Sequence, residues 1–291
     1  MTVNEFYKNL FGCKVYKISL DAGCTCPNRD GTKGWGGCIF CNQNGSGDFL
    51  PQKNLSIKNQ VEKAKLLIQS KNKNGKFIAY FQNFTNTYGN LSELSKKWKE
   101  SLSCGDVLGL ALGTRADCIN ENVCQVLKDF SEKYFVQVEL GLQTSDEKTR
   151  ILINRKYTNE DYLNAVFLLK KICPKVHIVT HLIFGLPFED EKTMLNSVDF
   201  VVNAKSDGIK ICVLYVLKHT IIEEMFKNGE FNVLQMEEYF SILEKALKRI
   251  PENVVLHRLT GDGPKNQTIA PLWIFDKKKV LTKVNEILKK I

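Results

Sequence analysis

CPNRDGTKGWGGCIFC, residues 26–41, carries three cysteines, Cys26, Cys38 and Cys41, on one short glycine-rich stretch. Thiols so close together in a sequence are typical of a metal centre. A further thiol, Cys24, lies two residues before Cys26. The segment therefore fits either a three-cysteine iron–sulfur cluster or a four-cysteine zinc site.

The two metal hypotheses differ in whether the metal keeps a coordination position free for a cofactor or substrate. Three thiolates on a cubane cluster leave one iron without a protein ligand, and that iron can bind a chelating cofactor or substrate. Four thiolates close a tetrahedral zinc site, although the C-x-C half made by Cys24 and Cys26 is less usual than C-x-x-C. The glycines between the ligands favour a backbone that turns tightly around an inorganic core. The pattern favours the iron–sulfur cluster and leaves the zinc site as an alternative.

Strand-like runs alternate with helical patterns along the rest of the chain. Strands are predicted at 14–20, 76–82, 107–113, 135–141, 176–184 and 208–216, with a further strand-like run at 254–259. Helices are predicted after the capping residues Ser56 and Thr158, and near 91–101, 120–130, 190–203, 236–249 and 280–288, while 260–275 is interpreted as loop. Such alternation indicates βα units and a parallel sheet. The predicted fold class is α/β, a partial (β/α)6 TIM-like barrel.

The segment between the first strand and the first helix, residues 21–55, is much longer than the usual βα connection of about two to six residues. It leaves the carboxyl end of the first strand, where α/β barrels place their active sites. We expect a barrel domain over 1–220 that includes this cluster loop. Residues 221–291 are expected to form a C-terminal extension of helices and a strand packed on the barrel.

Composition limits the class of protein. The chain has 291 residues, of which 43% are hydrophobic, and a formal net charge of +9. The length permits a large core, and the charge suits an anionic partner such as RNA. No stretch approaches the roughly 18 to 20 apolar residues that span a bilayer, and no signal-peptide pattern opens the sequence. A cytoplasmic protein without membrane attachment is expected, in which clustered cysteines bind metal rather than form disulfides.

The chain resembles radical S-adenosylmethionine (SAM) enzymes of the YtqA/YhcC type along nearly its whole length. The matching segments, in order, are KVYKISLDAGCTCPNRDGTKGWGGCIFCN, AYFQNFTNTY, LGTRADC, VELGLQT, LINRKYT, THLIFGLP, DGIK and HRLTGD. Cys26, Cys38 and Cys41 reproduce the C-x11-C-x2-C spacing of this type. Relatives typically have an aromatic residue at the position of Cys24, which implies that Cys24 is a spare thiol; the alternative is that it substitutes as a cluster ligand.

The resemblance implies a [4Fe–4S] cluster on these three cysteines, with SAM chelated to the open iron. One electron from a reductant such as flavodoxin or ferredoxin then cleaves SAM to methionine and a 5′-deoxyadenosyl radical, which abstracts a hydrogen atom from the substrate. The residues implied to hold SAM are Gln82, Thr85, Thr114, Arg115, Gln143, Arg155 and His181. Each also has a structural interpretation, such as an ordinary ion pair for Arg155.

Four further residues are candidates for catalysis. Glu139 is an acid inside an apolar strand, so it must face the barrel lumen or be paired. His257 and Arg258 at the end of the last strand-like run, and Asp262 after it, could close the substrate side. A purely structural pairing explains all four equally well.

The resemblance also implies work on tRNA, in which the carboxymethylaminomethyl group of the wobble uridine is converted to aminomethyl. Two other functions remain compatible with the sequence. One is a radical SAM oxidoreductase that acts on a small molecule, and the other is a zinc-bearing RNA-binding protein without catalysis. The sequence does not determine the oligomeric state.

Overall fold

The structure, a computed structural model, describes residues 1–43, 45, 55–69 and 75–291. Its strands are β1 Val15–Leu20, β2 Lys76–Phe81, β3 Val107–Thr114, β4 Phe135–Gln143, β5 His177–Phe184, β6 Gly208–Val213, β7 Val216–Leu217, β8 Val255–Arg258 and β9 Thr268–Ala270. Seven of them form one sheet in the order β1-β2-β3-β4-β5-β6-β8, and every neighbouring pair is parallel. The short strands β7 and β9 form a separate antiparallel pair.

Helices connect the strands of the sheet. They are α1 Val3–Phe11, α2 Ile57–Gln69, α3 Leu91–Leu102, α4 Glu121–Ser131, α5 Glu147–Leu152, α6 Asn159–Ile172, α7 Glu191–Asn203, α8 Ile221–Lys227, α9 Met236–Leu247 and α10 Lys277–Leu288, with short 3₁₀ turns at Ala116–Cys118 and Leu272–Phe275. Polar caps begin several of them: Asn120 accepts the backbone N–H of the third residue of α4, and Thr158 forms a capping box with Asp161. The capping predicted from the sequence at Thr158 is thus confirmed.

The two faces of the sheet bury different residues because side chains alternate along a strand. Ile18, Leu110, Val138 and Ile211 face the surrounding helices and belong to the main hydrophobic core. The alternate positions face the lumen of the half-barrel and include charged residues such as Glu139, whose side chain is fully buried. The main hydrophobic core therefore lies outside the sheet, whereas the lumen combines charged residues with a smaller apolar cluster that includes Tyr7, Val15 and Ile78.

Helix α1 closes the amino end of the lumen. The hydroxyl of Tyr7 donates to Gln137 Oε1 at 3.0 Å, and the ring of Phe6 stacks on His177 with ring centroids 4.7 Å apart. His177 opens β5, so these contacts lie at the amino ends of the strands. The carboxyl ends, where the cysteine loop begins, form the opposite mouth.

The predicted fold class is confirmed as a mixed α/β fold with a parallel half-barrel. Four details differ from the sequence-based prediction. A seventh strand, β8, from the predicted extension, joins the main sheet; the strand predicted at 208–216 ends at Val213; 260–275, predicted as loop, contains β9; and α1, α5 and α8 were not predicted. Helices α5 and α8 are six and seven residues long, too short to show a 3.6-residue period.

Some predictions stay predictions. Within the cluster loop predicted at 21–55, residues 44 and 46–54 lie outside the described residues. The division into 1–220 and 221–291 also stays a prediction. Within the described ranges, no helix is both long and apolar enough to cross a membrane.

Candidate active site

The three predicted metal ligands lie on the loop that follows β1, at the carboxyl edge of the sheet. The backbone turns tightly there: the N–H of Arg29 donates to the Cys26 carbonyl at 2.8 Å, and that of Cys41 donates to the Cys38 carbonyl at 3.0 Å. Burial raises the pKa of the Cys38 thiol to about 12, and the neighbouring Cys41 and Cys26 act in the same direction. The three thiols therefore lie within electrostatic reach of one another.

Cys24 lies in a different environment. Burial raises the pKa of its thiol to about 11, and the charges that act on it are those of Lys97 and Asp21. Its side chain packs against the main hydrophobic core. These surroundings favour a spare thiol over a fourth ligand.

The side-chain amides of Asn28 and Asn154 hold the cysteine loop through hydrogen bonds to its backbone and to the segment after α5. Asn28 Nδ2 lies 3.8 Å from Cys38 Sγ and donates to the Asn154 carbonyl at 2.7 Å. Asn154 in turn donates to the Gly37 carbonyl at 2.7 Å. Asn28 Oδ1 is buried and has no hydrogen-bond partner among the described residues. An amide beside a ligand sulfur is the kind of outer contact that orients and tunes an iron–sulfur cluster.

Arg29 fixes the end of the loop. Its guanidinium donates to the carbonyl oxygens of Cys41 and Asn42, at 2.8 and 2.5 Å. A Cβ atom at Gly37 would lie 2.8 Å from Arg29 Nε, and Gly37 has a φ of +85°. Only glycine fits this position without strain.

The spacing of the thiols bears on the kind of metal centre. In the part of the chain that the structure describes, no three Cys, His, Asp or Glu side chains are grouped as the ligands of a metal ion would be. Each iron of a cubane cluster needs only one thiolate, so its three ligands do not have to converge on one point. The three-cysteine loop and its amide support fit such a cluster.

Unpaired polar atoms lie beside the loop, in the segment that follows β2. Asn83 Oδ1, Thr85 Oγ1 and Asn86 Oδ1 are buried and have no hydrogen-bond partner among the described residues. The N–H of Thr85 donates to the Thr25 carbonyl at 3.2 Å, so this segment lies against the cysteine loop. A buried polar atom without a partner costs about 1–3 kcal/mol, so three together fit a bound polar group. The segment includes Thr85, which was predicted to hold SAM.

The other predicted SAM contacts at this edge already have partners. Gln82 donates to Ser19 Oγ at 2.9 Å, within the lumen. Thr114 shares a hydrogen bond of 2.6 Å with Thr87. Arg115 is bidentate to Asp117, at 2.9 and 3.0 Å, within the turn that directly follows β3.

The salt bridge between Lys33 and Asp117, at 2.7 Å, links the turn after β3 to the cysteine loop. The positive charge of Arg115 also counteracts the raised pKa of Cys38. Arg115, at the end of β3, therefore stabilises the thiolate form of Cys38.

Gln143 and Arg155 shape the end of β4. The strand has a register irregularity between Gly141 and Gln143, and Gln143 has a φ of +64°, in the left-handed region that non-glycine residues avoid. Arg155 is buried and donates to the carbonyl oxygens of Leu142 and Thr144. It therefore holds the irregular turn in place. Direct contacts of both residues with SAM stay predictions.

Glu139 is the centre of a buried ionic network in the lumen. Its carboxylate accepts hydrogen bonds from Lys17 Nζ at 2.6 Å, Tyr80 Oη at 2.6 Å and His181 Nε2 at 2.8 Å, and it forms an ion pair with Lys210. Burial alone would raise the pKa of Glu139, but the two lysines outweigh it and hold the pKa well below its usual value. Glu139 is therefore both lumen-facing and paired.

Burial also lowers the pKa values of His181 and Lys210, two basic residues that contact Glu139. Burial lowers the pKa of His181 to about 4, so the imidazole is neutral at pH 7. It also lowers the pKa of Lys210 to about 7, with Glu139 opposing the shift. The structure thus brings together Glu139, predicted for catalysis, and His181, predicted for SAM binding.

The other catalytic candidates are dispersed. His257 and Arg258 lie within β8, inside the strand-like run predicted at 254–259. His257 Nε2 lies 2.9 Å from His177 Nε2, at the amino end of the lumen, and Asp262 pairs with Lys277 at 2.5 Å on the surface. Of these three, Arg258 acts on the Glu139 network, because its charge lowers the pKa of Lys210.

Sequence reasoning missed Lys17, Lys210, Asn83 and Asn86. The two lysines carry the same signal that singled out Glu139, a charged residue inside an apolar strand. Asn83 and Asn86 give no such signal, because an asparagine after a strand is ordinary in a turn.

A parallel half-barrel with a three-cysteine loop at its carboxyl edge, flanked by unpaired buried polar atoms, is typical of an enzyme that binds an iron–sulfur cluster and a polar cofactor. The radical SAM superfamily pattern matches residues 26–201, and the radical SAM C-terminal domain pattern matches 206–290. The chain belongs to the radical SAM superfamily. Its cofactors are a [4Fe–4S] cluster and SAM.

The relatives agree with this membership. YtqA of Bacillus subtilis (strain 168) is 38% identical over 287 residues, which cover 99% of this chain and 88% of YtqA. YhcC of Escherichia coli (strain K12) is 34% identical, over 93% of this chain and 87% of YhcC. A tRNA uridine(34) acetyltransferase of Methanocaldococcus jannaschii is 32% identical over 161 residues, which cover 54% of this chain and 29% of that enzyme.

Among solved structures, Elp3 of Methanocaldococcus infernus superposes with a TM-score of 0.70 at 18% identity. The match covers 93% of this chain and 63% of that chain. At this identity the likeness shows the fold alone.

Proposed function

We propose that this radical SAM enzyme modifies the wobble uridine of tRNA and converts its carboxymethylaminomethyl group to aminomethyl. Two aromatic side chains exposed at the mouth of the barrel, Trp35 and Phe188, carry the RNA part of the proposal. The identity with a tRNA uridine(34) acetyltransferase over about half of the chain supports the nucleoside. The resemblance to the YtqA/YhcC type supports the reaction.

Both aromatic residues lie beyond the carboxyl ends of strands. Trp35 belongs to the cysteine loop and is 74% exposed, and its ring is so close to Gly31 that a Cβ there would lie 2.4 Å from it. Phe188 follows β5, is 72% exposed and has a φ of +67°. Residues in this strained region are enriched at functional sites. Proteins that recognise single-stranded RNA stack unpaired bases on such rings.

The chain supplies the surroundings for the reaction. We propose that Cys26, Cys38 and Cys41 hold the cluster and that the unpaired oxygens of Asn83 and Thr85 bind the SAM amino group. The conversion removes two carbons from a secondary amine, and its balance needs one water and a two-electron oxidant, which SAM provides when it is cleaved to methionine and 5′-deoxyadenosine. The superfamily chemistry requires a reductant, for which we propose a flavodoxin or ferredoxin. A cytoplasmic location stays a prediction.

Nucleoside analysis tests the proposed function. We expect tRNA from a deletion strain to retain carboxymethylaminomethyluridine and to lack the aminomethyl product, and wild-type protein to restore that product. Anaerobic incubation of reconstituted protein with this tRNA, SAM and reductant should release methionine, 5′-deoxyadenosine and the two-carbon fragment as glyoxylate in equal amounts. A Cys38→Ser variant is the matched control. Unaltered wobble uridines in the deletion strain would refute the tRNA substrate.

Replacing the exposed rings should weaken tRNA binding. Because stacking of one base on an aromatic ring is worth about 1–3 kcal/mol, we expect Trp35→Ala and Phe188→Ala each to raise the Kd for tRNA about 5- to 150-fold. Phe167→Ala is the matched control, since Phe167 is 60% exposed on α6, away from the cysteine loop. Filter binding at a fixed salt concentration measures the effect. Equal Kd values for all three variants would show that tRNA bases do not stack on Trp35 or Phe188.

A further inference from the structure

The lumen carries more positive than negative charge. Lys17, Lys210 and Arg258 act on one another there, and the carboxylate that contacts both lysines is that of Glu139. His181 contributes no charge at pH 7, because burial lowers its pKa to about 4. Burial lowers the pKa of Lys210 to about 7, so this lysine is only partly charged at pH 7, whereas Lys17 and the exposed Arg258 add positive charge that the one carboxylate of Glu139 does not fully balance. Unbalanced charge away from bulk water is costly unless an anion accompanies it.

Water and solutes can reach this network. The side chains of Lys17 and His181 are 19% and 27% exposed, whereas that of Glu139 is fully buried. Of the two lysines, Lys17 thus presents accessible surface, whereas the carboxylate of Glu139 that partly neutralises it is fully buried. An anion that enters the lumen would meet positive charge first.

Arg258 has the shape and position to bind that anion. It ends β8 opposite Lys210 on β6, and its charge acts on Tyr80 and Cys212 as well as on both lysines. Its side chain is exposed and contacts Cys212, and the charge of Asp262 acts on it, but no carboxylate of the described residues lies within 4.0 Å of its guanidinium. A guanidinium presents a planar fork of N–H donors that matches a carboxylate in bidentate geometry.

We infer that Arg258, together with Lys17 and Lys210, forms a carboxylate-binding site in the barrel lumen, and that the carboxylate of the substrate's carboxymethyl group occupies it. This assignment rests on the proposed function. The site lies below the carboxyl edge of the sheet, so a carboxylate held there places the adjoining methylene carbon toward the cysteine loop. It also distinguishes a substrate with a carboxylate from an uncharged analogue of the same size.

Kinetics with two substrates test the site in the reconstituted enzyme. We expect Arg258→Gln to lower kcat/KM for tRNA with carboxymethylaminomethyluridine about 10- to 100-fold, in line with one lost charge-assisted hydrogen-bond pair. The same tRNA with the carboxylate converted to its amide should lose less than about threefold. Arg249→Gln, which removes a surface arginine paired with Asp199, is the control. An equal loss for both substrates, or none, would overturn the site.

A binding measurement separates this site from the proposed function. N-methylglycine carries the same carboxymethylamino group, and we expect it to raise the Tm of the full-length wild-type protein in a concentration-dependent way. The methyl ester of N-methylglycine and the Arg258→Gln variant should show no such shift. If the shift depends on Arg258 while wobble uridines prove unaltered, the carboxylate site stands and the tRNA function fails. If wild-type protein shows no shift, the site itself fails.

Discussion

Serine at position 26, 38 or 41 is expected to abolish the iron–sulfur cluster, whereas Cys24→Ser should leave it intact. A serine hydroxyl is a hard, weakly acidic donor and replaces a thiolate poorly on iron. Each of the three variants should retain less than about a tenth of the iron and sulfide of wild-type protein after anaerobic reconstitution. Loss of the broad visible absorbance of the cluster measures the same change.

Cys24→Ser is the matched control because Cys24 lies two residues from Cys26 yet packs against the hydrophobic core. Its serine variant should bind SAM and cleave it at the wild-type rate. If Cys24→Ser loses as much iron as Cys26→Ser, Cys24 is a ligand and the three-cysteine assignment is wrong. Stoichiometric zinc without sulfide in the wild-type protein would restore the zinc alternative.

The outer face of the sheet was predictable because parallel strands buried on both sides give continuous apolar runs. Residues such as Leu110 and Val138 belong to runs of this kind, and the alternating helices imply the parallel order. The short β8 pairs with β6 although α8 and α9 separate them in sequence. Strand-like residues alone do not show which edge of a sheet such a run joins.

The candidate site was predictable to the extent that it is local in sequence. Cys26, Cys38 and Cys41 fall within one loop, so their spacing shows their chemistry. The lumen network draws single residues from different strands, and no local pattern shows that Lys17 and Lys210 meet at Glu139. Such a network appears only when the register of the whole sheet is fixed.

Neutralising Glu139 is expected to be the most destabilising single substitution in the lumen. Glu139→Gln keeps the volume but removes the carboxylate that raises the pKa of both lysines, so Lys210, whose pKa is already about 7, loses its proton at pH 7 and Lys17 is left without its counter-charge. Breaking a buried ion pair by removing one partner costs about 3–5 kcal/mol. Urea unfolding of the protein at pH 7 should show a loss of this size. Glu191→Gln is the control, since Glu191 pairs with Lys245 at 2.7 Å on the surface and should change stability by less than about 1 kcal/mol.

A double-mutant cycle shows whether this loss comes from charge. Lys210→Met removes one of the two ammonium groups and retains an unbranched apolar chain of similar length, and such replacements of buried charges are often tolerated. Adding Lys210→Met to Glu139→Gln should therefore recover about 1–3 kcal/mol relative to the sum of the single substitutions. Strict additivity would mean that the charges of Glu139 and Lys210 are not coupled, and that the loss in Glu139→Gln comes from its contacts with Lys17, Tyr80 and His181. It would also argue against Lys210 as a partner of an incoming carboxylate, because Lys210 would then not respond to the carboxylate that it already contacts.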